Sequence, residues 1–165
     1  MIVKLNNLVH SGKIRELLNQ PDLWNSIDIT YHKPRVERVW TQLENLRLNL
    51  HIIHPCELND SLYHPHPWPS AIFITKGIYV TGFGSNLGLD PPPIISTMIL
   101  PENSWYEMLE PSGWHYVMPL REPSHSVMLS GEPWNRELPS FDMGEMAPLS
   151  THRKNEIIEI FKSYF

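Results

Sequence analysis

Apolar residues recur at a helical period at both ends of the chain. Over residues 5–24 leucine and isoleucine side chains roughly follow the helical repeat until Pro21 interrupts it. Residues 150–165 carry a second apolar stripe, and Ser150 or Thr151 stands where a helix cap is expected. The pattern predicts one helix at each end of the chain.

Between these helices the pattern is typical of β-strands. Over residues 46–52 leucine and isoleucine alternate with polar residues, which predicts a strand with one buried and one exposed face. Further short β-rich runs follow, separated by glycine and proline: Ala71–Thr75, Ile78–Phe83, Ile94–Leu100, Trp105–Leu109, Trp114–Pro119 and Ser126–Leu129. Many short strands at this spacing predict an all-β sandwich or closed barrel with the two helices outside.

The segment Leu62–Ser70, read Leu-Tyr-His-Pro-His-Pro-Trp-Pro-Ser, is the first candidate for chemistry. Alternate side chains of an extended chain share a face, so His64 and His66 point the same way and can reach one metal ion. The three prolines between them remove backbone donors along a single edge. We therefore expect a rigid edge strand at a loop, a barrel mouth or solvent. The alternative is a proline-rich surface turn whose histidines are incidental.

A third ligand is expected from a neighbouring strand. Residues 105–116 are interpreted as a hairpin whose turn, Glu110-Pro-Ser-Gly113, has the residues of a type I turn. In that register His115 lies opposite Met108 and shares a face with Tyr106, whereas Glu107 faces the other side unless a bulge shifts the pairing. His115 is therefore preferred to Glu107 as a ligand, the alternative being a hydrogen-bonded core histidine. The remaining histidines are expected to be unimportant, with His10, His32 and His152 on the surface and His51 and His54 on opposite faces of one strand.

The amino-acid composition limits the binding partners and the cellular compartment that can be expected for this protein. The net charge of -5 leaves no basic excess for nucleic acid, and no segment approaches the ~20 apolar residues of a membrane span. The single cysteine, Cys56, excludes an internal disulfide and a four-cysteine zinc site. No signal peptide is recognised at the N-terminus. We expect a cytoplasmic protein that binds a small molecule and neither nucleic acid nor membrane.

These motifs resemble the cupin superfamily. Its first motif is similar to His64-Pro-His66 closed by Gly77, with Ser70 or Ala71 in the glutamate position, and its second is similar to Pro111-Ser-Gly-Trp-His115. A competing placement of the second motif at Pro101-Glu-Asn103 leaves Tyr106 in the histidine position. The resemblance covers residues 46–134. It implies a double-stranded β-helix, a jelly-roll barrel, in one cupin domain over residues 1–165, with the barrel at about 35–135.

Within the superfamily the layout is similar to the cysteine dioxygenase-like branch, in which three histidines bind ferrous iron. The resemblance implies His64, His66 and His115 as ligands of one divalent ion, Fe²⁺ being expected and Zn²⁺, Ni²⁺ or Mn²⁺ the alternatives. It implies Arg35 or Arg38 as the arginine that binds a substrate carboxylate. The histidine and tyrosine of that branch's triad are replaced here by Met128 and Ser130. Cysteine dioxygenation itself is therefore not expected.

Candidates for the pocket wall, substrate binding or proton transfer are Tyr106, Glu107, Trp68, Ser70, His125 and Arg38. Three functions stay open on the sequence: a metal-dependent oxygenase, lyase or isomerase; a binding or sensing barrel without catalysis; and a structural barrel whose histidines are ordinary. The apolar helix face at Ile157–Phe165 and the pairing habit of cupins lead us to expect a homodimer.

Overall fold

The computed structural model describes residues 1–140 and 146–165 and contains three α-helices and ten β-strands in this part of the chain. The helices are α1 (Ile2–His10), α2 (Lys13–Leu18) and α3 (Thr151–Lys162). The strands are β1 (Asn25–Ile29), β2 (Val36–Leu43), β3 (Leu46–Ile53), β4 (His64–Pro65), β5 (Ser70–Lys76), β6 (Ile78–Ser85), β7 (Ser96–Pro101), β8 (Trp105–Met108), β9 (Gly113–Pro119) and β10 (Ser124–Ser130). No helix within these ranges is long and apolar enough to cross a membrane.

The strands form two antiparallel sheets that face each other. The larger sheet has the order β1-β2-β3-β10-β5-β8 and the smaller one β4-β9-β6-β7. The chain crosses between the sheets several times, so strands adjacent in a sheet are mostly distant in sequence, as in a jelly roll. The predicted all-β class with flanking helices is confirmed.

All three helices pack against the outer face of the larger sheet. Their apolar stripes meet Leu48, Leu50, Val127 and Leu129 in a single cluster, in which these four side chains have no exposed surface. The opposite face of β3 lies between the sheets, where Asn49 and His51 are also buried. The prediction of a half-exposed strand at 46–52 is therefore wrong, because each face of this strand has a covering layer.

A smaller cluster fills one part of the space between the sheets. It is built from buried aliphatic, methionine and tyrosine side chains, namely Ile72, Ile74, Tyr79, Leu100, Tyr106, Met108 and Met128. The rest of the interior is lined by polar residues and contains the cavity described below. Polar side chains at interior positions of β2 and β3 thus replace the core that a plain sandwich would have.

The terminal helices differ in how well the sequence predicted them. The C-terminal helix begins at Thr151, and the hydroxyl of Ser150 accepts a hydrogen bond from the Arg153 backbone N–H, as predicted. The predicted N-terminal helix is instead two helices, because Gly12 adopts a left-handed φ of 76° between them. That conformation is accessible to glycine and ends the first helix.

The predicted hairpin at residues 105–116 is wrong. The turn exists, since the Gly113 N–H donates to the Glu110 carbonyl at 3.0 Å. Its two arms, however, enter different sheets, β8 pairing with β5 and β9 with β4 and β6. Strand β4 does occupy an edge, as the proline argument predicted.

The reason given for a homodimer also needs correction. Ile157, Ile158 and Phe161 of α3 are buried against the larger sheet and leave no apolar helix face. Several exposed apolar side chains lie instead near the edge of the smaller sheet, where Ile95 is 74% exposed and Ile99 64%.

Candidate functional site

A cavity of about 110 Å³ opens between the two sheets. Its polar lining comprises five histidines, one arginine, two tyrosines and one serine: His32, His51, His64, His66, His115, Arg38, Tyr79, Tyr106 and Ser126. The other lining residues are apolar. No aspartate or glutamate lines this cavity in the described chain, so Arg38 is the lining residue that carries a formal charge at neutral pH.

The fold brings the three predicted metal ligands together. Strand β4 pairs with β9 so that His64 is the direct cross-strand partner of His115. Their ring centroids are 4.8 Å apart, and those of His66 and His115 are 5.1 Å apart. The centroids of His64 and His66 are separated by 6.4 Å. His115 therefore lies close to both members of the His-Pro-His segment.

Backbone carbonyl groups fix the orientation of the first two rings. The Leu62 carbonyl lies 3.0 Å from His64 Nδ1, and the Trp68 carbonyl lies 2.9 Å from His66 Nδ1. A carbonyl only accepts, so in each neutral ring the hydrogen is on Nδ1 and Nε2 keeps its lone pair. This is the way that proteins prepare a histidine to bind a metal through Nε2. His115 Nδ1 is buried and has no partner in the described chain.

All three rings are neutral near pH 7. Burial is the main cause, and it lowers the pKa of His64 to about 4 and the pKa of His66 to about 3. Burial and the neighbouring His64 and His66 lower the pKa of His115 well below its usual value. Metal binding needs the unprotonated nitrogen, which these three side chains provide.

The donor set can be tested against the geometry of a shared ion. Metal–nitrogen bonds of about 2.1 Å with angles of roughly 90–120° would place ring centroids about 4.5–5.5 Å apart. His115 satisfies this range with each partner, whereas the 6.4 Å between His64 and His66 exceeds it. In agreement, no group of three His, Cys, Asp or Glu side chains in residues 1–140 and 146–165 stands in ligating positions. The donors fit a divalent ion chemically, and His64 and His66 must approach by about 1 Å to share it.

Arg38 reaches the same cavity from β2 on the opposite sheet. Its Nε–H donates to Nε2 of His51 at 2.9 Å, and no carboxylate of the described chain lies within 4.0 Å of the guanidinium. Burial, together with the nearby charge of Arg47, lowers the pKa of Arg38 to about 10. The guanidinium therefore remains charged at neutral pH without a counter-ion.

Two tyrosines form the remaining polar part of the wall. The hydroxyl groups of Tyr79 and Tyr106 are joined by a 2.9 Å hydrogen bond inside the barrel. Burial raises the pKa of Tyr106 to about 12, so its hydroxyl stays protonated. Tyr106 thus lies in the cavity, where it was expected, and Tyr79 is an addition that the sequence did not suggest.

Two candidates lie elsewhere. Glu107 is on the outer face of β8, where its carboxylate accepts the Ile2 backbone N–H at 2.8 Å. His125 is on the outer face of β10, where Nδ1 is 2.7 Å from the Tyr164 hydroxyl and the ring stacks on Phe161. Neither lines the pocket for which both were candidates, because strand alternation directs both side chains towards the helices. For Glu107 this is the face opposite to Tyr106, as the sequence register predicted.

Ser70 and Trp68 stand behind the cavity. The buried Ser70 hydroxyl is 3.2 Å from His66 Nδ1 and shares that nitrogen with the Trp68 carbonyl. The Trp68 indole packs edge-on against the His66 ring, with 5.9 Å between centroids. Neither side chain lines the cavity, so they support His66 rather than contact a ligand.

Two histidines of the cavity wall were missed. The sequence predicts an ordinary strand residue at His51 and a surface residue at His32, and both line the cavity. For His51 a signal existed, since it continues the polar face of β3 begun by Arg47 and Asn49, and a polar face that is buried needs an explanation. His32 lies in the loop between β1 and β2, and its ring is 6.4 Å from His64 by centroid. No local pattern predicts such a loop placement.

No protein-family model matches the sequence, and a comparison with curated protein sequences finds no match. Solved structures do match. Hydroxypropylphosphonic acid epoxidase from S. wedmorenis superposes with a TM-score of 0.53 and 11% identity over 67% of this chain and 56% of the epoxidase. A structure of apo-HppE superposes with a TM-score of 0.52 and 10% identity over 67% of this chain and 55% of the HppE chain. HEPD from Streptomyces albus superposes with a TM-score of 0.47 and 8% identity over 59% of this chain and 21% of the HEPD chain.

These matches concern the fold. The similarity to the epoxidase supports a cupin-like double-stranded β-helix, and the aligned part spans little more than half of the epoxidase chain. At 10–11% identity this likeness concerns the fold alone, and it gives no support to the finer resemblance to the cysteine dioxygenase-like branch that the sequence suggested.

Proposed function

We propose that the cavity holds one divalent metal ion on His64, His66 and His115. The observation that supports it best is the fixed tautomer of two of these rings, whose Nδ1 atoms are held by the carbonyls of Leu62 and Trp68. A histidine of a plain core has no need for an unbonded Nε2 beside a cavity, and both of these residues line the cavity. The Nδ1 of His115 is in addition a buried polar atom that lacks a partner in the described chain.

Fe²⁺ is the proposed ion, with Zn²⁺, Ni²⁺ and Mn²⁺ as alternatives. Three neutral nitrogen ligands leave positions of the metal open to dioxygen or substrate, which is the chemistry that a non-haem iron centre supplies when bound. The epoxidase with the same fold has been solved with Fe(II). The neutral charge of the three imidazoles here is consistent with a divalent ion that keeps its net positive charge for an anionic ligand.

We further propose that the small molecule carries an acidic group that Arg38 binds. A half-buried guanidinium that lacks a counter-ion in the described chain loses part of its hydration, and an anion in the cavity would compensate this loss. Apolar residues such as Ile72 and Val117 line the rest of the cavity and would exclude water from the bound molecule. Tyr106, protonated and adjacent, would donate a hydrogen bond to the same ligand.

Metal content tests the first proposal. Purified protein, reconstituted anaerobically with each of the four ions in turn and desalted, is expected to retain about one ion per chain by elemental analysis. His64→Ala, His66→Ala and His115→Ala should each lose it, and His152→Ala, on the exposed start of α3, should not. Wild-type protein that retains none of the four ions would overturn the proposal.

A non-catalytic barrel that binds or senses a small molecule is the second candidate. It is favoured by the small number of proton acceptors in the cavity wall, because an oxygenase or lyase usually needs one beside its substrate. No carboxylate of the described chain lines the cavity, and of its five histidines three are proposed metal ligands and His51 is bonded to Arg38, which leaves His32. Oxygen consumption by the iron-loaded protein, measured over a panel of small carboxylic and phosphonic acids, separates the two. Binding without oxygen uptake for every acid would favour the sensing barrel.

Three other properties remain proposals. We infer a single domain over residues 1–165, supported by the helices at both ends that pack in one cluster on the larger sheet. The single free cysteine supports a cytoplasmic location.

A homodimer is supported by the edge strand β7, whose surroundings from Pro91 to Pro101 carry no charged residue that would repel a second copy. Sedimentation of Ile99→Lys beside wild type tests it. Wild-type protein sedimenting as a 19.3 kDa particle at micromolar concentration would contradict a dimer.

A further inference from the structure

We propose that His51 is a positioning residue for the anion site, which holds the Arg38 guanidinium so that its two Nη groups face the ligand. The inference rests on the proposed anion binding by Arg38 and adds a residue that neither the motif nor the metal ligands include. His51 lies on β3 directly opposite Arg38 of β2 in the antiparallel register. Both side chains line the cavity.

The direction of their hydrogen bond follows from proton accounting. Arginine has five N–H donors and no acceptor, so Nε2 of His51 must accept the 2.9 Å bond from Arg38 Nε. The single hydrogen of a neutral His51 ring is therefore on Nδ1. A protonated His51 would have a hydrogen on each nitrogen, and the bond to Arg38 would be lost.

This bond restricts how Arg38 can receive an anion. A guanidinium binds a carboxylate or phosphonate with two parallel bonds, either through Nε and one Nη or through both Nη groups. His51 occupies Nε, so only the end-on pair of Nη groups remains. An acid bound there has its oxygens at the tip of the side chain, and the rest of the molecule extends into the cavity shared with His64, His66 and His115.

The partner of Arg38 is a neutral histidine and not a carboxylate, and this difference affects the charge of the site. A carboxylate beside Arg38 would orient it and would also cancel its charge, as Glu37 does for Arg153 on the other face of the same strand. A neutral imidazole orients the guanidinium and leaves its charge available. His51 is buried, and its only hydrogen bond to a side chain in the described chain is the one to Arg38.

The experiment measures acetate and methylphosphonate binding by calorimetry, with acetamide as the neutral control, in metal-free protein. His51→Leu removes the acceptor at similar volume, and His51→Gln replaces it with an amide oxygen. His152→Gln is the matched surface control. We expect His51→Leu to weaken acetate binding about tenfold, and His51→Gln to restore it to within about threefold of wild type. The thermal unfolding midpoint of each variant shows that it is folded.

Nitrogen NMR of the imidazole rings adds a readout that a purely structural role would not change. His51 is expected as the Nδ1–H tautomer in wild type and in His152→Gln, and as a mixture or the Nε2–H form in Arg38→Met. Wild-type protein that binds neither anion removes the anion site and this inference together. Wild-type binding that Arg38→Met abolishes but folded His51→Leu leaves unchanged overturns the inference alone.

Discussion

Glu37 and Arg38 are neighbours in sequence and occupy opposite faces of β2. Glu37 faces the helices and is 2% exposed, and it receives two hydrogen bonds of 2.7 Å from Arg153 and one contact of 2.9 Å from His54. Arg38 faces the cavity, where a neutral histidine is its partner. The negative charge of Glu37 is therefore compensated by Arg153, whereas the positive charge of Arg38 has no charged partner in the described chain.

This difference assigns the two residues of one strand to different tasks: Glu37 contributes to folding stability and Arg38 to ligand binding. The bidentate contact with Arg153, together with His54, lowers the pKa of Glu37 to about 2 against the opposing effect of burial. The folded state therefore favours the ionised carboxylate, which fastens α3 to the sheet. Arg38 has the reverse character, since its charge has no counter-ion in the described chain and an anionic ligand would compensate it. Substitutions at the two positions should accordingly affect different measurements.

The largest effect is expected for Glu37→Gln. It leaves Arg153 and Arg35 without their buried partner, and breaking such a pair costs about 4 kcal/mol. Urea unfolding measures the loss. Glu122→Gln, at an exposed position, is the control and should stay within about 0.5 kcal/mol of wild type. A Glu37→Gln protein as stable as this control would show that the ion pair does not fasten α3.

Acidification gives the next largest effect. The pKa of Glu37 is about 2 in the folded protein against an ordinary 4.5, so its contribution is complete above pH 4.5 and is lost as the pH falls towards 2. The contribution amounts to about 3 kcal/mol. Unfolding curves from pH 5 to 2 should show this decline in wild type and a correspondingly smaller one in Glu37→Gln. Parallel declines in both proteins would assign the acid sensitivity to other groups.

Arg38→Met tests the inner face. Arg38 is a half-buried cation that lacks an acid partner in the described chain, so its removal should lower the free energy of unfolding by no more than about 1 kcal/mol, or raise it. Acetate affinity should fall about 100-fold, because the charged partner of the anion is gone. Calorimetry and urea unfolding on the same samples give both values. A large loss of stability with unchanged binding would reverse the roles assigned to the two faces.

Ser70→Ala should have the smallest effect. His66 Nδ1 keeps its 2.9 Å contact with the Trp68 carbonyl, so the ring orientation survives the loss of the hydroxyl. We expect a cost of about 1 kcal/mol in stability and a decrease of only a few-fold in metal affinity, measured by competition with a chelator. Ser85→Ala, at an exposed strand end, is the control. A complete loss of metal binding would show that Ser70 rather than the backbone orients His66.

Local patterns were sufficient for several parts of the molecule. The repeat of apolar residues and the cap at Ser150 predicted α3, because both act within a few residues of the chain. The alternation of His64 and His66 with prolines predicted a shared face on an edge strand, since proline removes donors wherever the strand lies. At Gly12 the same kind of reasoning failed, because it followed the apolar repeat and ignored a left-handed glycine.

Strand pairing lay beyond local reasoning. The residues around Glu110–Gly113 satisfy the chemistry of a turn equally well in a hairpin and in a crossover between sheets, and only the competing partners β4, β5 and β6 decide between them. The directions of the Glu107 and His125 side chains depend on this pairing, because the sheet that a strand joins determines which of its faces points into the barrel. Both residues were candidates for the pocket wall or proton transfer, and in the structure both side chains point towards the helices.

The sequence alone therefore determined the all-β class, the terminal helices in outline and the rigid His-Pro-His edge, all of which depend on residues close together in the chain. The tertiary structure decided that His115 lies opposite His64 and that His51 meets Arg38. It also decided that the interior of β3 is polar and buried. These are contacts between strands that are distant in sequence or faces covered by other layers. Their energies belong to the assembled sheets, and no segment of the chain carries them by itself.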